Sequence, residues 1–321
     1  MTSLVTPDGK TRPGRRTSKI AAVWKEYKKC RYLFLLLTPV LIWYAVFAYS
    51  PLYGIQLAFK DFRIMDGIWG SPWVGLKHFQ FLFLQSPDFF KILENTVVIS
   101  IYHIVFGFPA PIILALMINE IRSSKFKKVA QSLTYLPHFF SWVILGGILI
   151  TLLSPSTGVV NYLITWVGLD PVYFLGDPHY FRFTLVTSAI WKEVGWGTII
   201  YLAALTGVSP DLYEAAVMDG ANRWKQTLKI TLPSILPVIV LMLILRMGGI
   251  LDAGFDQILN LYSPATYEVA DILDTYVYRV GLQNFQFSLT TAVGLFKNVI
   301  AFLLVLFTNY ISKKLGQDGL F

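Results

Sequence analysis

Long apolar stretches alternate with polar ones along most of the chain. A helix needs about 20 mostly apolar residues to cross the hydrocarbon core of a bilayer. Six stretches qualify, at about 32–53, 96–118, 135–153, 183–204, 234–250 and 289–311. Lipid offers no partners to backbone N–H and C=O groups, so such stretches are expected to be helical. The expected fold is all-α, a polytopic membrane protein with six transmembrane helices. The basic stretch before Tyr32 superficially suggests a secretory leader. The apolar run behind it, however, continues for about 20 residues without a small-x-small cleavage site, and it reads as the first span.

Between the spans, the polar segments differ in charge. Residues 1–31, 119–134, 205–233 and those after Ile311 hold 18 Lys and Arg, against six in 54–95, 154–182 and 251–288. Basic residues sort to the cytoplasmic side, so both termini are expected there. That makes 1–31 a cytoplasmic basic segment and 312–321 a cytoplasmic tail. Trp24 and Tyr27 among lysines suggest an interfacial helix over 20–27. The outer segment 54–95 carries Phe79, Phe81, Leu82, Phe83 and Leu84 between Pro72 and Pro87, which predicts a short helix lying at the outer surface. The polar segment 251–288 has room for another.

Composition agrees with lipid as the main solvent. Of 321 residues 55% are hydrophobic and 14% charged, where a soluble domain carries about a quarter charged. The net charge of +8 follows from the sidedness of the basic loops and does not call for nucleic acid. The single cysteine, Cys30, excludes an internal disulfide framework and a Cys-based zinc cluster.

The polar loop 209–233 is the most informative. Ser209 suits an N-cap, Pro210 the first helical position, and Asp211 and Glu214 the N-terminal turn. Gly220 is a natural helix stop, Asn222 can cap a second short helix, and Pro233 marks the return to the membrane. Tyr213, Ala216, Val217 and Gly220 fall on one face of the first helix. That face could pack on the chain's own bundle or on another protein.

Here the sequence resembles a known family. Glu214-Ala215-Ala216, then Gly220, Ile230 and Leu232-Pro233, is similar to the EAA signature of ABC-importer permeases, with every position matched. Pro51-Leu52-Tyr53-Gly54-Ile55, Ala58-Phe59-Lys60-Asp61 and Gly70-Ser71-Pro72-Trp73-Val74-Gly75-Leu76 resemble the first outer segment of the polysaccharide-uptake group. Leu136-Pro137-His138-Phe139-Phe140-Ser141-Trp142-Val143 resembles the start of its third span. The likeness covers about residues 30–315 and looks nearest to the larger permeases of alginate-type importers. It implies a type I importer permease in the bacterial inner membrane, paired with a second permease as a heterodimer. It also implies two cytoplasmic ATPases and an external or periplasmic substrate-binding protein. Tyr213, Glu214, Ala215, Ala216, Met218, Asp219 and Gly220 would couple to the ATPase. The chain has no Gly-x4-Gly-Lys-Ser/Thr loop, so ATP and Mg belong on that partner and this chain needs no cofactor.

Charges inside spans mark a substrate path by default. Lys192, Glu193, Arg246 and Lys297 are such residues, with Asn298 next to Lys297 and Trp191 and Trp196 flanking the first pair. Three cations against one acid suit an acidic, alginate-like saccharide. Pairing of Glu193 with a cation, and a structural role for Lys297, are the alternatives. Tyr276 and Tyr278 could stack on sugar. His78, His103, His138 and His179 have no metal-ligand spacing, and no nucleophile motif appears. A neutral-oligosaccharide or other small-solute permease is an alternative. So is a scaffold whose sister permease makes every substrate contact. A membrane-bound polysaccharide-active enzyme is a remote one, since Asp252, Asp256, Asp271 and Asp274 form no catalytic spacing.

Overall fold

The computed structural model describes residues 30–314, so the expected helix over 20–27 and the last residues of the tail lie outside the described residues. The described chain is helical, with no strand beyond an isolated bridge between Lys60 and Trp73. Four runs are long and apolar enough to cross a membrane. They are α1 (Arg31–Phe59), α2 (Phe89–Asn119), α8 (Arg223–Gly248) and α10 (Phe287–Lys314). Between them lie α3 (Ser124–Tyr135), α4 (Trp142–Leu152), α5 (Val159–Trp166), α6 (Pro178–Thr206), α7 (Pro210–Met218) and α9 (Phe255–Leu261). The 29-residue α6 matches the spans in length. It carries Arg182, Lys192 and Glu193, and on composition it is not one of the four.

Contacts divide the chain into two units, one ending at Ile55 and one starting at Gln56. In the first, α1 contains Pro39 and widens to π-helical turns at Tyr44–Tyr49. Trp43 stands edge-on to Tyr44 at 5.4 Å.

In the second unit α2 is the spine. Its start packs Phe89 and Ile92 with Leu289 and Val293 of α10. Its middle packs Ile99 with Phe181 and Leu185 of α6, Leu149 of α4 and Ile258 of α9. Its end packs Ile112 and Ala115 with Tyr201 and Leu205 of α6 and Ile235 of α8. The helix widens at His103–Gly107, just before Pro109, whose ring cannot fit against the carbonyl a turn earlier. A buried polar knot ties the segment after α9 to α2 and α6. Arg182 donates to Asn95 Oδ1 at 2.7 Å and to the Val269 carbonyl at 3.1 Å. Asn95 donates on to the Glu268 and Asp271 carbonyls. Arg279 donates to Asp271 at 3.1 Å, and that bond raises the Arg279 pKa.

Two expectations need correction. The predicted span 135–153 is not one helix: Ser124–Phe139 and Trp142–Leu152 meet at 104°. Pro137 and the Ser141 N-cap, which accepts from Ile144 N, divide them. The short segment around Phe81–Gln85 does form a helical turn, which leaves Phe81, Leu84 and Gln85 exposed and is anchored on its other side. Leu82 is fully buried, and the Phe83 ring meets Phe89 at 5.4 Å and Phe296 at 5.3 Å. Finally, the helix capped by Asn222 does not end before Pro233. It passes through π-helical turns at Thr227–Thr231 and continues to Gly248.

The close crossing of α3 and α6 depends on Gly195, where a Cβ would overlap the Thr134 carbonyl. Gly195→Ala is expected to lower stability by about 1–3 kcal/mol, the usual penalty of overpacking. Gly294→Ala, which meets nothing within 4 Å, should be neutral or better. Thermal unfolding of both variants in detergent checks the pair.

Candidate functional site

The EAA loop forms as a helical hairpin. Ser209 accepts from Asp211 N at 3.3 Å, and Asn222 caps the next helix by accepting from Lys225 N at 2.9 Å. Gly220 sits at φ +72°, the left-handed conformation that ends α7, with its Cβ position facing open space. The Ala221 N–H closes the turn on the Ala216 carbonyl at 2.8 Å. The predicted single face divides in two. The Tyr213 hydroxyl meets Thr231 Oγ1 at 2.9 Å and Ala216 is half-buried, so these two hold α7 on its own chain. Glu214, Ala215, Val217, Met218 and Asp219 are exposed, Met218 to 87%. Exposed Leu212 and Trp224 extend the apolar patch; sequence periodicity had not singled them out.

A cavity opens between α2, α6 and α8 and is lined also by Trp142 and the turn 249–254. Glu193, Trp196 and Arg246 line it. The other expected path residues do not. Lys192 is buried: it donates to the His138 carbonyl at 2.8 Å, pairs with Glu193 at 3.2 Å and lies 5.8 Å from the Trp142 ring. The 104° break exposes carbonyls that no helix turn can satisfy, and Lys192 fills one. Trp191 is 45% exposed and outside the cavity, one helix position round from the buried Lys192. Asn298 is exposed, whereas Lys297 turns inward to Asp252 at 2.6 Å and Asp274 at 2.7 Å. Burial raises the Asp274 carboxyl pKa against the pull of Lys297. Tyr276 is buried, and Tyr278 lines a second opening of about 1000 Å³ beside Asp252 and Asp274.

Charge around the cavity is therefore not the cation excess that the spans alone suggest. Lys192 has Glu193, and Lys297 has two aspartates from outside the spans. His138, passed over as an isolated histidine, belongs to the site. Its ring stacks on Trp196 at 4.4 Å and 2°, and its Nδ1 lies 2.9 Å from Glu193 Oε2. No motif brings residues 138 and 193 together; the bend before α4 does. Phe139 adds an edge contact to Trp196 at 6.0 Å, which completes an aromatic platform beside a carboxylate.

Three comparisons bear on this arrangement. Residues 107–317 match the model of the "Binding-protein-dependent transport system inner membrane component" family. The chain is 44% identical over 308 residues to Protein LplB of Bacillus subtilis, covering 96% of this chain and 95% of that one. It is also 44% identical over 321 residues to a polygalacturonan/rhamnogalacturonan transport system permease protein of the same organism, covering 97% and 100%. Its fold superposes with a TM-score of 0.86 on a chain of a bacterial alginate ABC transporter in complex with an alginate pentasaccharide-bound periplasmic protein. That match has 46% identity and covers 93% of this chain and 99% of the other.

If Lys192 heals the break, Lys192→Met should destabilise the protein by about 1–3 kcal/mol through the orphaned carbonyl. Arg246→Gln, which removes no hydrogen bond or ion pair among the described residues, should leave the unfolding midpoint in detergent unchanged.

Proposed function

The chain belongs to the family of binding-protein-dependent transport system inner membrane components, and from that premise we propose that it moves an acidic oligosaccharide across the bacterial inner membrane by ATP-driven alternating access. It is an ABC-importer permease for oligosaccharides and not itself an enzyme. The observation that carries the acidic reading is Arg246, a cavity cation with no carboxylate in ion-pair range among the described residues. The permease named for polygalacturonan/rhamnogalacturonan transport and the alginate transporter support it, since both names denote acidic polysaccharides. The alternative, a neutral oligosaccharide, is favoured by the aromatic platform of His138 and Trp196, which stacks on any sugar face.

In this reading both termini face the cytoplasm, a second permease completes the pathway, and a periplasmic binding protein delivers substrate. ATP and Mg sit on two ATPase subunits and none on this chain. The exposed Glu214, Ala215, Val217, Met218 and Asp219 meet the ATPase. Tyr213 acts from behind by fixing α7 to Thr231. Nucleotide-driven closure of the ATPase pair moves α7, and the packed helices carry the motion as rigid-body rocking.

Two measurements test this. The reconstituted complex should hydrolyse ATP faster when given binding protein loaded with uronate oligosaccharides, and not when offered neutral maltodextrins; equal responses would remove the acidic reading. Gly220→Trp should insert normally yet abolish uptake, because the left-handed turn is strained for any side chain and the bulk projects from the docking face. Wild-type uptake by that variant would sink the assignment of α7.

A further inference from the structure

We infer that Arg246, which lines the same cavity as Ser100 and His103, forms a carboxylate-reading subsite with them, so that this chain selects acidic sugar units itself and does not leave selection to the binding protein. The inference rests on the acidic-oligosaccharide reading above.

The charges lining the cavity are Glu193, Arg246 and Asp252. Glu193 is taken by His138 and Lys192, and Asp252 by Lys297. Of these three, Arg246 has no opposite charge in ion-pair range among the described residues, and a guanidinium presents a fork of donors that matches a carboxylate. Two further polar groups in the wall are also without partners. Ser100 is 3% exposed and His103 7% exposed, and neither Ser100 Oγ nor His103 Nε2 has a hydrogen bond. Buried polar atoms are nearly always satisfied, so these two, facing the cavity, are free to be completed by water or by a polar group of a ligand. The turn over them is shaped to leave room. Gly254 has φ +86°, and a Cβ there would stand 3.6 Å from the His103 ring and 3.3 Å from Gln257 Oε1. Gln257 is fixed by donating to the Leu185 carbonyl and Ser188 Oγ, so it cannot swing across to satisfy His103. A sugar unit stacked on Trp196 would lie in the same cavity as the guanidinium that takes its carboxylate.

The test uses the whole complex in proteoliposomes with its binding protein. Two probes are compared, a uronate oligosaccharide and its uncharged methyl ester. Arg246→Gln should cut ATP-dependent uptake of the uronate by about tenfold, the effect of losing one charge-assisted bidentate contact. Uptake of the ester, which offers no carboxylate, should fall by much less than uptake of the uronate. Arg246→Lys should retain part of the uronate uptake, and His103→Phe should lose some of it. Unchanged uronate uptake by Arg246→Gln, or equal loss for both probes, would overturn the subsite; the acidic reading would then stand or fall on the response of wild-type ATP hydrolysis to uronate-loaded binding protein. Recovery of uptake by adding Glu193→Gln to Arg246→Gln would also overturn it, by showing that Arg246 serves Glu193 in another state. Preference of the wild-type complex for the ester would instead overturn the acidic reading.

Discussion

Hydrocarbon leaves no backbone group the option of bonding to water, and the architecture is organised around that one constraint. Where the third apolar stretch breaks, the lost turn is replaced piece by piece. Ser141 caps the new helix, and Lys192 reaches from α6 to the His138 carbonyl. The same logic governs the ends of the broken segment. Asn161 alone accepts from Val172 N and donates to the carbonyls of Leu153, Ser154 and Val172. Asn95 and Arg182 do the same for the chain beyond α9. Non-helical backbone at membrane depth is tolerated where protein surrounds it, and here polar side chains provide the surroundings.

Those side chains are then no longer available for substrate. Lys192 and Lys297 are cations in apolar stretches, yet each is committed to the protein, one to a carbonyl and Glu193, the other to two aspartates. In the proposed reading, what is left for cargo is what the fold does not use among the described residues: Arg246, Ser100 Oγ, His103 Nε2, and an aromatic face set by the His138–Trp196 stack. The distinction between structural and available charge is a property of the folded bundle.

This is also why the sequence was legible in some places and not in others. The helical class and the hairpin around Gly220 follow from local signals: apolar runs of membrane length, Ser and Asn caps, a glycine that must turn left-handed. The EAA spacing carried the family. The bend before α4 was masked because its flanks are as apolar as a continuous span, and only Pro137 and Ser141 hinted at it. Counting charges within spans misjudged the cavity, since Asp252 and Asp274 enter from segments that sequence assigns to the outside. Neighbours in sequence misled for a simpler reason. Trp191 and Lys192, and Lys297 and Asn298, lie about 100° apart on their helices, so only one of each pair can face inward. His138 could be placed only by tertiary structure.

The helix that begins at the Asn222 cap does not stop at the membrane surface. It is one run from Arg223 to Gly248, 26 residues and about 39 Å at about 1.5 Å per residue. Arg246 lies in its last turn, and the EAA hairpin adjoins its first. In the proposed reading, motor contact and cargo contact therefore lie toward opposite ends of one continuous helix, with the π-helical turns at Thr227–Thr231 and the internal Pro237 between them. In that reading a displacement at one end reaches the other along the same stretch of backbone, so the timing of the grip on cargo is set by how stiffly those turns hold.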